Sequence, residues 1–119
     1  MTITEAEGFT ELAMWQDAWD AVEDLNPEER ATPRALRCRL ACCPQLGAWG
    51  IGEHVAGLLR DGRDADRIAA ASFYHHSARR YIALGNRAEA KKAVTSAVEA
   101  WPACRVDLLG DEMLVSELF

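Results

Sequence analysis

The sequence predicts an all-α protein built from helix pairs that follow one another along the chain. Three stretches carry this reading: LAMWQDAWDAVEDL from Leu12, LGAWGIGEHVAGLL from Leu46 and LGNRAEAKKAVTSA from Leu84, whose leading leucines are 34 and 38 residues apart. In each, the leucine is followed by a small or turn-forming residue (Ala13, Gly47, Gly85), and two residues on by Trp15, Trp49 or Arg87. Small residues then recur at Ala18, Gly52 and Ala90, and apolar ones at Val22, Ala56 and Val94 and at Leu25, Leu59 and Ala97. Steps of four and then three residues mark one face of a helix. A second observation is punctuation: Gly85-Asn86 suits a left-handed turn after a helix, and Pro102 cannot continue one. A third is composition, 50% hydrophobic and 27% charged, which fits a packed domain rather than a disordered chain or a coiled coil.

Taken in order, the helices are expected at 4–12, 15–25, 32–45, 49–60, 66–84 and 87–100, with a cap from 103 onward. Thr32-Pro33 is a start signal, a capping residue followed by proline at the first helical position. Arg60 to Asp64 is the clearest loop and absorbs the four extra residues between the second and third stretches. The tail carries Val106, Leu108, Leu109, Met113, Leu114 and Leu118, enough apolar surface to cover the open end of a stack. The whole of 1–119 is expected to form one domain, with repeat units near 3–31, 32–66 and 67–102 and a cap over 103–119.

This spacing resembles the tetratricopeptide repeat, a helix pair with a period of about 34 residues. The unit from Ala71 to Cys104 matches best, with Tyr74, then Ser77-Ala78 where the family shows Leu-Gly, then Tyr81, Ala90, Val94, Ala97 and Pro102. The middle unit matches through Leu46-Gly47, Trp49, Gly52 and Leu59, although Pro44 falls inside its first helix. The first has Trp15 and Ala18 in register, but Pro27 arrives early. The resemblance covers roughly residues 3 to 104. It implies a short superhelix of about three antiparallel pairs, TPR-like, with a C-terminal capping helix.

Several chemistries are poorly served. A formal charge of −6 gives no concentrated basic surface for nucleic acid. No apolar run reaches the roughly 18 residues that a membrane span needs. The N-terminus has no basic cluster of a secretory or transit signal, so a cytoplasmic protein is expected. Without an export signal the four cysteines are expected to be reduced thiols. Cys38 and Cys42 share a helix face, but adjacent Cys42 and Cys43 spoil a simple zinc chelate, and the thiols read as small hydrophobes. No Ser or Cys in a recognisable nucleophile context accompanies His75-His76. The acidic clusters around Glu5–Glu7, Asp20–Asp24 and Glu28-Glu29 lack metal-loop spacing, and Gly47, Gly50 and Gly52 sit between helices rather than in a phosphate loop. Neither catalysis, a metal nor a cofactor is expected. Trp15, Trp19, Trp49 and Trp101 read mainly as wedges between helices.

In the tetratricopeptide family the first helix of each pair lines a concave peptide groove. Carried over by position, that places Ser72, His75, Arg79 and Ile82 of the third unit and Arg34, Arg37, Ala41 and Pro44 of the second in the groove. Arg34, Arg37, His75, Arg79 and Ile82 are therefore the candidate site. Guanidinium forks suit carboxylates, including a peptide's C-terminus. The Lys and Asn residues of the family's carboxylate clamp are absent here. Two alternatives stay open: these arginines bind a partner, or they pair with local acids or snorkel on the surface. The expected function is non-catalytic protein binding to an acidic or C-terminal peptide, with self-association as a homodimer as the alternative.

Overall fold

The computed structural model describes residues 1–119 and is all-α, with no strand. Its helices are α1 (Ile3–Glu11), α2 (Trp15–Glu23), α3 (Pro27–Arg30), α4 (Pro33–Leu46), α5 (Trp49–Leu59), α6 (Asp64–Ala83), α7 (Arg87–Ala100), α8 (Arg105–Leu109) and α9 (Glu112–Leu118); a 3₁₀ turn, Pro102–Cys104, precedes α8. The six main helices lie within two residues of their expected bounds. No helix is long and apolar enough to cross a membrane. The chain divides into two compact units, Met1–Val55 and Ala56–Phe119.

Why the helices start where they do is mostly a matter of caps. Thr2, Asn26 and Thr32 each accept a hydrogen bond from a backbone N–H three residues on, satisfying a donor that has no partner inside the helix. Pro27 and Pro33 follow two of these caps directly, where a missing N–H costs nothing. The Asn26-Pro27 cap explains α3, a single turn that the repeat pattern did not anticipate. Inside α4, Pro44 cannot donate to the carbonyl one turn back, yet the helix continues to Leu46.

The three aligned turn positions share one geometry. Ala13, Gly47 and Gly85 all take positive φ, at 56°, 71° and 74°. After each, the next backbone N–H reaches back to the carbonyl five residues earlier: Met14 to Phe9 at 2.9 Å, Ala48 to Cys43 at 2.9 Å, and Asn86 to Tyr81 at 2.9 Å. This is the six-to-one closure of a Schellman turn, which satisfies orphan carbonyls at a helix end. Glycine enters the left-handed region freely, whereas alanine is held there at a cost of ~1–2 kcal/mol. The register read from sequence is thus repeated in the backbone, with one strained member.

The first unit packs α1 against α2 and both against α4. Its centre holds Ala6, Ala21, Val22 and Cys38, with Ile3 and Phe9 closing over them. The second unit is organised by α6 folded back on α7. Alanines at 70, 71, 78, 90, 93, 97 and 100 are buried between or beside them, so the two helices approach without bulky side chains. Ala18 and Ala90, the small positions of the repeat, are both fully buried.

Expected as one cap, the tail is two short helices. Leu108 and Leu114 are buried, while Val106 and Leu109 remain 78% and 62% exposed. Their exposure leaves an apolar surface at this end of the second unit.

Candidate functional site

The predicted site residues fall in both units, and each set has its own surroundings. In the first unit, Arg34 and Arg37 stand on α4 beside a shallow cleft of ≈ 320 Å³ that Glu7, Thr10 and Glu11 of α1 also line. Arg34 donates through Nε to Glu7 Oε2 at 3.0 Å and through Nη2 to Glu7 Oε1. This is the fork-on-carboxylate geometry that makes Arg–carboxylate pairs directional. The hydrogen bond from Arg34 outweighs the opposing effect of burial and holds the Glu7 carboxyl below its ordinary pKa.

In the second unit, α6 carries His75 and Arg79 four residues apart, hence on one face. A cleft of ≈ 620 Å³ opens beside them, walled by Ile68, Trp101, Cys104 and Asp107. Its polar centre is Asp111, in the short link between α8 and α9. Asp111 Oδ2 accepts from Arg79 Nη1 at 2.6 Å and lies 2.7 Å from His75 Nε2. The other oxygen, Oδ1, accepts from the Met113 backbone N–H at 3.1 Å and caps α9. With its side chain only 8% exposed, Asp111 is opposed by burial; the hydrogen bonds from His75 and Arg79 and the Arg79 charge overcome that and bring its pKa down to about 2. One carboxylate therefore ties α6 to the tail and starts the last helix. Ile82, half-buried farther along α6, does not line this cleft.

Of the two alternatives for the arginines, local pairing describes Arg34 and Arg79. Their partners, Glu7 and Asp111, are the residues the sequence reading did not single out. Glu7 lies in an acidic cluster with no local sign of a partner. Asp111 carried a readable sign, since it sits between Gly110 and a helix-forming run where an N-cap is expected. Nothing local, however, could say that it reaches back to α6.

Other arginines are held by aromatic rings as well as acids. Arg39 bonds Glu23 at 2.7 Å and lies 4.6 Å from the Trp19 ring centre. Arg60 bonds Glu99 at 2.7 Å and stands 5.7 Å from Tyr74. Arg67 donates to the Ala100 carbonyl at 2.9 Å, covering the C-terminal end of α7, and stacks 5.2 Å from Trp101. Cation–π contacts of this kind fix long side chains along a helix surface.

The cysteines are buried free thiols. Cys42 and Cys43 donate back to the carbonyls of Cys38 and Arg39, each at 3.2 Å. Burial pushes the thiols of Cys38 and Cys43 up to about 11 and that of Cys42 to about 12. Such thiols are the reverse of activated nucleophiles. No three His, Cys, Asp or Glu side chains gather where they would hold a metal ion. No protein-family model matches this chain, and neither a curated protein nor a solved structure matches it.

Proposed function

We propose that this chain is a non-catalytic protein-binding module of tetratricopeptide-like helix pairs, working in the cytoplasm as a small adaptor or scaffold. The observation that carries the reading is the shared turn at Ala13, Gly47 and Gly85, because it makes three helix–turn–helix units out of an otherwise undistinguished helical chain. Helical repeats of this kind present side chains from successive helices to a partner. The four reduced, buried thiols suit a reducing compartment. A partner bearing carboxylates, an acidic or C-terminal peptide, is favoured over nucleic acid or a membrane. At Arg34 and Arg79 such a partner has to compete with Glu7 and Asp111.

The test is affinity capture from the native host's lysate with the tagged chain, followed by competition with untagged chain. A protein retained near stoichiometry and displaced by the competitor supports the reading. Nothing above background, with a concentration-dependent dimer in sedimentation velocity, replaces it by the second reading: a self-associating structural protein. That alternative has its own support in Val106, Leu109 and Phe119, exposed at 78%, 62% and 67% in the second unit.

A further inference from the structure

The second unit has another concavity, on the outer side of α7. Val94, Val98, Leu108, Leu109 and Phe119 line its apolar part. It consists of two clefts of ≈ 460 and ≈ 240 Å³ that share Val94, Thr95 and Phe119 and so run into one groove. Together they have room for about two or three large apolar side chains.

What distinguishes this groove is its charge. The chain has 19 acidic and 13 basic side chains, so acids are plentiful enough to pair every cation. Arg30, Arg34, Arg39, Arg60, Arg67 and Arg79 each meet a carboxylate within the protein. Lys91 and Arg105 do not, and both are exposed on the groove, one from α7 and one from α8. The only acidic side chain lining it, Glu99, is already paired with Arg60 at 2.7 Å. The groove therefore offers an apolar floor between two uncompensated positive charges on an acidic protein.

We infer that this groove, rather than the arginines of α4 and α6, is the docking surface for a partner segment whose apolar side chains are flanked by Asp or Glu. The inference rests on the protein-binding reading and gives it a location and a ligand chemistry. Apolar contact supplies the affinity. Lys91 and Arg105 set orientation and speed the encounter, which is what exposed charges at the edge of an interface do best. A partner with a basic flank meets the same two cations and is rejected.

The probes are two labelled amphipathic peptides of identical leucine spacing, one flanked by Glu and one by Lys, measured by fluorescence anisotropy at low and moderate salt. The Glu peptide is expected to bind the full chain at least about tenfold more tightly than the Lys peptide, with the preference falling as salt rises. In Lys91→Glu/Arg105→Glu the preference should reverse, while Arg63→Glu, a single charge reversal of the same kind outside the groove, stays within about twofold of wild type. Circular dichroism of all three proteins checks that they remain equally helical. A second, conservative variant, Leu109→Gln, should weaken both peptides alike by removing floor rather than charge.

Equal binding of the two peptides, or a preference untouched by the double charge reversal, overturns the proposal. So does a dimer of the wild-type chain that Leu109→Gln abolishes, because the groove then belongs to a second copy. Lysate capture with the double variant separates this failure from failure of the broader reading. If wild type and variant retain the same protein, the chain is a binding module that uses another surface; if neither retains any, both readings fall.

Discussion

The two concave surfaces of the second unit are built from neighbouring helices and treat their basic side chains in opposite ways. In the cleft beside α6, Arg79 and His75 converge on the buried carboxylate of Asp111, whose remaining oxygen caps α9. In the groove beside α7, Lys91 and Arg105 face solvent with no acid of their own. The first arrangement is a fastening: its charges are spent on holding the tail. The second is electrostatically unfinished. What separates the two is whether the protein already supplies the counter-charge.

The sharpest way to break this contrast is Asp111→Ala. It strips two hydrogen bonds from α6 and the cap from α9, and should lower stability by ~2–4 kcal/mol in urea denaturation. A loss under ~0.5 kcal/mol would mean that the cleft is as loosely held as the groove. The pH dependence follows from the same residue. Asp111 titrates near 2 in the folded chain against an ordinary 3.8, so its contribution is fully present above about pH 4 and is lost as pH falls through about 2. The deficit of Asp111→Asn relative to wild type should accordingly be full at pH 5 and shrink steadily toward pH 2.

Smaller effects come from the turns, where the first unit can be compared with the second. Gly85→Ala should cost ~1–2 kcal/mol by backbone strain alone, since an added Cβ there meets no neighbour within 4 Å. The reverse change, Ala13→Gly, should stabilise by up to ~1 kcal/mol, because relief of the left-handed alanine exceeds the added chain entropy. Opposite signs at equivalent positions, read by thermal melting, would show that the two turns are energetically as well as geometrically alike. Least of all should Lys91→Glu/Arg105→Glu move stability, by under ~0.5 kcal/mol, since neither side chain has a partner to lose. A large loss in that double variant would place Lys91 and Arg105 among the structural cations.

Most of the helix framework was legible because its signals are local. Thr32-Pro33 starts α4, Gly47 and Gly85 end α4 and α6, and the spacing of Ala90, Val94 and Ala97 marks one face of α7. Ala13 was legible only through alignment with the two glycines, since alanine by itself does not announce a left-handed turn. The division of the tail into a 3₁₀ turn and two short helices was lost among its evenly scattered apolar residues. The site was less legible still. Arg34 meets Glu7 across 27 residues of chain, and Arg79 meets Asp111 across 32. Which acid finishes which arginine is decided by how helices pack, and no spacing rule reports it.

The buried cysteines have a practical and a cellular consequence. The thiolate is the form that reacts, and for a thiol held near 11 it amounts to on the order of one part in ten thousand at neutral pH. Oxidants and alkylating reagents therefore find almost nothing to attack at Cys38, Cys42 and Cys43 until the packing around α4 opens. The rate at which these thiols are labelled is then a clock for that opening. A chain of this kind carries a built-in reporter of its own momentary unfolding, and a cysteine placed on its outer surface can be tagged with dye while Cys38, Cys42 and Cys43 stay dark.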